Sequence, residues 1–164
     1  MKLDIYRASV DEQHIIANLL QLYIYEFSTL LGIDVERDGR FPWDGLEEYW
    51  DDKSLHPYLF KANTKLAGFA LIQRMSVVTG DPNVWDMEDF FVVEKYRRSG
   101  VGSAVISHLF REFVGPWEVR VLEGNDRALE FWRHVISVQC ATAVQPVPTL
   151  INGRTFGVFT FETS

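Results

Sequence analysis

The chain has 164 residues, the length of one compact domain, and its 47% hydrophobic composition is enough for a substantial core, which excludes a disordered or linker segment. Its 16 Lys and Arg against 23 Asp and Glu give a formal net charge of -7, a field that repels phosphate backbones and favours cationic ligands. With a single cysteine, Cys140, no Cys/His metal spacing, no leader-like apolar run and no stretch of membrane-spanning length, a soluble cytoplasmic protein without a metal is expected, with neither nucleic acid nor membrane as a partner.

Leu3 and Ile5 alternate with polar residues, which predicts a short opening strand before Ser9, a residue suited to a helix N-cap. Ile15, Ile16, Leu19, Leu20, Leu22, Tyr23 and Phe27 then recur at helical spacing, with Asp11 and Glu12 in the first turn. From there to Asp52, Gly32, Gly39, Pro42 and Gly45 are scattered among Phe41, Trp43, Tyr49 and Trp50, which predicts an irregular aromatic connection with one short helix, of the kind that walls a pocket. Residues 56–62 and 66–74 are β-rich and separated by Asn63-Thr64-Lys65, the spacing of a tight hairpin. Val84 to Val93 forms a third strand after the turn at 79–83, and residues 103–113 return to helical periodicity.

Gly115-Pro116 ends that helix, Trp117 to Leu122 alternates as a strand, and residues 126–135 are helical with Ala128, Leu129, Phe131 and Trp132 inward. Val138 to Val144 and Thr155 to Phe161 are predicted as closing strands, joined through Pro146, Pro148 and Asn152-Gly153. The apolar closing strand 156–161 would suit pairing with a second copy in a homodimer. The order of elements describes one α/β domain over residues 1–164, a mixed, mostly antiparallel sheet with helices on both faces.

The strand ending at Val93 runs through Glu94-Lys95-Tyr96 into Arg97-Arg98-Ser99-Gly100-Val101-Gly102-Ser103, so two glycines fall where a strand must turn into a helix. Glycine allows close backbone approach, successive N–H groups form an anion nest, and the helix start adds about half a positive charge, so a phosphate suits the loop; a plain strand-to-helix turn would use the same glycines. The loop lacks the Gly-x-x-x-x-Gly-Lys-Ser/Thr pattern, and Val105 stands where a dinucleotide loop needs its third glycine.

Arg97-x-x-Gly100-x-Gly102 resembles the acetyl-CoA loop of the GNAT superfamily of N-acetyltransferases, Gln/Arg-x-x-Gly-x-Gly/Ala. Asn125-x-x-Ala128-x-x-Phe131-Trp132, after the next strand, is similar to that family's Asn-x-x-Ala-x-x-Phe-Tyr. The resemblance implies that backbone N–H groups from Arg98 through Ser99, Gly100, Val101 and Gly102 to Ser103 hold the CoA diphosphate. It also implies that Phe90, Phe91 and Val92 hydrogen-bond the pantetheine arm, that this strand splays from the strand 117–122 to admit the thioester, and that Asn125 contacts the cofactor from the far side. Asn125 is equally suited to a plain helix N-cap.

Acyl transfer needs a neutral amine, a polarised carbonyl and a proton for the departing thiolate. A backbone N–H near Val92 is the expected polarising donor. Asp86 and Glu88, two apart on one strand face, are the candidate bases, with Glu123 a third, and each would otherwise be a surface carboxylate. Trp132 stands where the family places a tyrosine as general acid; indole donates a hydrogen bond but not a usable proton, which leaves His134, Tyr96, water or the substrate ammonium. Glu36, Asp38, Asp44, Glu47, Glu48, Asp51 and Asp52 around the aromatic residues suggest an acceptor wall for a small cationic or aromatic primary amine. A protein N-acetyltransferase, a non-catalytic CoA-binding sensor and a protein-interaction module are the rival readings.

Overall fold

The hairpin expected around Asn63 is the middle of a longer meander. In the computed structural model, which describes residues 1–164, β1 (Leu3–Arg7), β2 (Leu55–Ala62), β3 (Lys65–Arg74) and β4 (Trp85–Val92) pair antiparallel in sequence order. The parallel strand β5 (Gly115–Leu122) follows β4, and β7 (Arg154–Thr163) and β6 (Val147–Ile151) complete a seven-stranded sheet in the order β1-β2-β3-β4-β5-β7-β6. This is the mixed, mostly antiparallel sheet expected from the sequence.

Helices cover both faces, and each face has its own core. The helices α3 (Val101–Glu112) and α4 (Asp126–Cys140) bury Val105, Ile106, Leu109, Trp132, Val135 and Ile136 against Phe60, Met87, Trp117 and Phe159. On the other face α1 (Gln13–Leu31) buries Ile16 and Leu20, and the single turn α2 (Glu48–Asp51) buries Tyr49, against Leu59, Phe69, Leu71 and Phe91. Glycine ends α1, Gly32 adopting the left-handed conformation that the turn requires. Before α1 the chain makes one tight turn over Val10–Glu12, where the Glu12 carboxylate accepts from the Ser9 N–H at 3.0 Å, so the cap at Ser9 serves this turn and the α-helix proper begins at Gln13.

Three expectations are corrected. No strand covers 138–144: α4 continues to Cys140, because Trp132, Val135, Ile136 and Cys140 keep a helical stripe against the core, and left-handed Ala141 then ends it. The strand lies later, at Val147–Ile151, where Pro148 is tolerated because β6 is the sheet edge. The strand 156–161 is not free to pair with a second copy, since β7 is held between β5 and β6. Finally, α3 begins at Val101 and not at Ser103, which places Gly102 inside its first turn.

One glycine in the sheet is fixed by packing. A Cβ on Gly68 would lie 2.0 Å from the Phe91 carbonyl oxygen and 2.4 Å from the Phe60 ring, both in the interior. Gly68→Ala is therefore expected to cost about 2–3 kcal/mol, as a backbone shift in a packed core does, measurable as a lower urea midpoint with an unchanged slope.

Candidate functional site

The site starts from a fault in the sheet. β4 and β5 pair only through Trp85 with Trp117, Asp86 with Glu118 and Met87 with Val119. Immediately beyond, the β3 partner of Leu71 is Asp89 and that of Ile72 is Met87, so Glu88 is an extra residue, a β-bulge. A bulge bends and over-twists its strand, and here it coincides with the point where β4 leaves β5. From Glu88 to Val92 the β4 backbone has no strand neighbour on that side, which is the splay expected for the strand pair.

The bulge also changes which side chains share a face. Trp85 and Met87 belong to the core beneath α3 and α4, and so do the contacts of Phe90 and Val92, while Phe91 packs in the core beneath α1. Glu88 and Asp89 consequently both turn toward α1 and α2. The Tyr49 hydroxyl donates to Glu88, and Tyr23 stands beside Asp89. Asp89 is 7% exposed and its Oδ2 has no hydrogen-bond partner. Burial, with the nearby charge of Glu88, pushes its carboxyl up to about 7. Burial likewise raises Glu88, partly offset by the Tyr49 hydrogen bond, and holds the Tyr23 hydroxyl well above its usual range beside Asp89.

Asp86, by contrast, is fully buried and committed. Arg120 donates to it twice, Nε to Oδ1 at 2.9 Å and Nη2 to Oδ2 at 2.8 Å, and Gln73 donates at 2.9 Å. Both of its oxygens are thus engaged by neighbouring strands, in charge-assisted bonds from Arg120 and one from Gln73, and it lines neither cavity described below. Glu118 is 3.8 Å from Arg120 and accepts from the Ser76 hydroxyl and the Val77 N–H, tying the β3–β4 loop to the same network. Glu123 is exposed and lines neither cavity described below.

Where β4 ends, a short turn at Glu94–Tyr96 leads into the glycine loop. Arg98 and Gly100 take positive φ, 57° and 84°, and α3 starts at the next residue. None of the N–H groups from Arg98 to Ser103 donates to another protein group, because the first backbone bond of the helix is from Ala104 to Gly100. Six consecutive free donors at a positive helix end fit a diphosphate. Arg97 lines the larger cavity described below, and its guanidinium donates to the Val92 carbonyl at 2.7 Å and to Glu26 of α1 at 2.7 Å, so it anchors α1 to the end of β4. The Ser99 hydroxyl donates to the Tyr96 carbonyl and shapes the loop.

Two cavities flank the splay. One, of about 780 Å³, runs past the glycine loop, the start of α4 and the face of α1, lined by Arg98, Gly100, Gly102, Ser103 and Val92 among others. The second, of about 400 Å³, is floored by Glu88, Asp89, Gln73 and Arg120. Tyr23, Phe27, Phe90, Asn125, Ala128 and Trp132 line both, so the cavities meet where β4 and β5 part. Asn125 caps α4, its Oδ1 accepting from the Ala128 N–H at 3.2 Å, and its amide nitrogen bonds no protein group. Trp132 is 6% exposed, its ring crossing Phe90 at 5.5 Å, and its indole N–H has no protein acceptor. His134 is exposed on the outer side of α4, and Tyr96 lines neither cavity.

The acceptor wall differs from expectation. Glu36, Asp38, Asp44, Glu47, Glu48, Asp51 and Asp52 are exposed and line neither cavity. Of the aromatic residues there, Trp43 lines the smaller cavity, Tyr49 holds Glu88, Phe41 exchanges hydrogen bonds with Gln21, and Trp50 donates to the Ala8 carbonyl. The carboxylates at the cavity come from β4 instead. Asp89 is the residue that sequence reasoning missed; the signal for it is the break in alternation, apolar at 85 and 87 and then at 90 and 92, which marks the bulge.

No curated protein matches the chain by sequence. Among solved structures, a GNAT family acetyltransferase from Elizabethkingia anophelis with acetyl-CoA bound is similar at 14% identity, covering 98% of this chain and 97% of that one, with a TM-score of 0.62. A ribosomal-protein alanine N-acetyltransferase from Escherichia coli is similar at 15% identity over 99% and 95% of the two chains, TM-score 0.63. A mutant spermidine N-acetyltransferase from Vibrio cholerae is similar at 11% identity over 98% and 93%, TM-score 0.63. At these identities the likeness establishes the fold. The sequence profile of the Acetyltransferase (GNAT) family matches residues 18–135, a span that holds most of α1, the splayed strands, the glycine loop and most of α4. With that span carrying both cavities' junction and the cradle of free N–H groups, this chain belongs to the GNAT acetyltransferase family.

Proposed function

We propose that the protein transfers an acetyl group from acetyl-CoA to the primary amine of a small molecule. The observation that carries this is the meeting of two cavities at the split between β4 and β5, one cradled by the N–H groups from Arg98 to Ser103 and the other floored by Glu88 and Asp89. The cradle suits the CoA diphosphate, and the unpaired edge of Phe90, Phe91 and Val92 suits the amide groups of a pantetheine arm. A backbone N–H near Val92 polarises the thioester carbonyl.

In this reading Glu88, fixed by Tyr49, attracts the ammonium, and Asp89 accepts its proton. A carboxyl held near 7 suits that task, since a base is most effective when its pKa lies near the working pH. The freed amine forms the C–N bond as the C–S bond breaks with its electron pair on sulfur, and the second proton, which the newly acylated nitrogen must shed, passes through water to the thiolate. Trp132 offers its free indole N–H to that sulfur as a hydrogen bond. Asp86 serves to fix Arg120 and is not a base here.

Thiol release from acetyl-CoA, measured with small primary amines and with peptide N-termini and lysine side chains, tests the reading. Turnover with small amines is expected; turnover confined to peptides makes the protein a protein N-acetyltransferase, and acetyl-CoA binding without turnover of any amine makes it a sensor. Trp132→Phe is expected to lower kcat about tenfold, the loss of one hydrogen bond to a developing charge, with the Kd for acetyl-CoA within about twofold of wild type by calorimetry.

A further inference from the structure

The smaller cavity is specific in what it lacks. Fourteen of its nineteen lining residues are hydrophobic, and its polar side chains come chiefly from the sheet floor. The walls are Ile24 and Leu31 of α1, Trp43 of the connection before α2, Val121 of β5 and Phe156 of β7. At about 400 Å³ it is toward the small end of ligand cavities, which span about 300–1,000 Å³.

Its charges are also distributed unevenly. Arg120, the one cationic residue of the lining, is held bidentately by Asp86 with Glu118 at 3.8 Å, so its charge is already compensated twice. No positive group remains to receive a substrate carboxylate. Glu88 and Asp89 are adjacent and supply the one anionic spot, and the seven carboxylates of the 36–52 segment are outside the lining. A second ammonium on the same substrate, held inside the cavity, would lie against Leu31, Val121 and Phe156 without a carboxylate, and an unpaired charge in an apolar wall is strongly disfavoured. Peptide amides laid along those walls would lose their water without gaining partners.

We infer that the acceptor is a primary amine bearing a single positive charge on an apolar, ring-sized body, and that amines carrying a second ammonium or a carboxylate are rejected. The inference rests on the acetyl-transfer reading above. The ammonium sits at Glu88 and Asp89 and the body fills the space toward Trp43, whose indole, 37% exposed at the rim, supplies a face for it to stack on.

Steady-state thiol release with phenethylamine, phenylalanine, putrescine and an N-terminal peptide provides the test, with acetyl-CoA affinity measured separately by calorimetry. Phenethylamine and phenylalanine differ only in the carboxylate. The expected kcat/KM for phenethylamine exceeds each of the other three by at least about tenfold. Trp43→Glu, at an exposed loop position, is expected to raise the putrescine-to-phenethylamine ratio by about tenfold or more by giving the second ammonium a partner. Putrescine, phenylalanine or the peptide turning over as well as phenethylamine in the unmodified protein overturns the selectivity while leaving acetyl transfer intact. Tight acetyl-CoA binding with no thiol release from any amine overturns the acetyl-transfer reading and this inference with it.

Discussion

Replacing Asp89 with asparagine is expected to lower kcat by about 10²–10³-fold near pH 8, with acetyl-CoA affinity retained, the loss typical of removing a general base. The variant keeps the size of the side chain and removes only the proton-accepting oxygen, so a packing defect does not account for the loss. The pH dependence identifies the group. A base must be deprotonated, so wild-type activity rises with pH to a plateau with its midpoint near the value of about 7 held by burial and the charge of Glu88. Glu88→Gln removes the second of those causes, so the midpoint moves to lower pH and KM for the amine rises, whereas Asp89→Asn loses the limb altogether. Stability supplies an independent readout. Because the folded pKa is raised above the unfolded value of 3.8, the folded state holds the proton over the interval between about 4 and 7, and Asp89 makes stability fall as pH rises through it. Asp89→Asn is expected to flatten that slope and to be more stable than wild type at pH 8 by urea denaturation. A flat wild-type slope together with full activity of the variant would remove Asp89 from the chemistry.

What the sequence disclosed and what it concealed follow from the range of the interactions. The glycine loop and the Asn125 helix start are local: each is a strand-to-helix junction whose residues touch one another within a turn, so their spacing survives in the linear sequence. The pairing of Asp86 with Arg120 depends on a parallel register, Asp86 opposite Glu118, between strands about thirty residues apart, and alternation gives no sign of it. Asp86 and Glu88 look alike as two acids on one strand, yet the bulge sends Glu88 to Tyr49 and brings Asp89, formally on the opposite face, to the same cavity. The acidic run around Trp43 is a composition signal, and composition does not say which side of an irregular segment faces water; there Phe41, Tyr49 and Trp50 turned inward, Trp43 stayed at a cavity rim and the carboxylates turned outward. At the C-terminal end, β-branched Val138 and Val144 suggested a strand, but the preceding helical stripe extended across Cys140 and burial outweighed local preference.

Gly102→Asp is expected to weaken acetyl-CoA binding by about a hundredfold or more without unfolding the protein. Gly102 is the second residue of α3 and its N–H is one of the six free donors, so an aspartate there brings a negative charge into the cradle that is to hold a diphosphate. At about 4 Å between unit charges near a protein surface the repulsion is about 4 kcal/mol, more than the roughly 2.7 kcal/mol that a hundredfold change in Kd requires. Its Cβ would also stand 3.0 Å from the Phe131 ring, which must shift by a few tenths of an ångström at the cavity wall. The helix itself gains from the substitution, since a carboxylate in a first turn opposes the macrodipole favourably, so the melting temperature should change little even as binding fails. Gly102→Ala separates the two effects: it introduces the contact with Phe131 without the charge and should lose affinity far less than the aspartate does. Gly100→Asp also places a carboxylate in the loop, but at φ 84° it adds about 1–2 kcal/mol of backbone strain, so its binding loss must be compared with that of Gly100→Ala. A Gly102→Asp protein that melts like wild type and binds acetyl-CoA as tightly would mean that the free N–H groups from Arg98 to Ser103 hold no phosphate, and the larger cavity would then lose its claim to the cofactor.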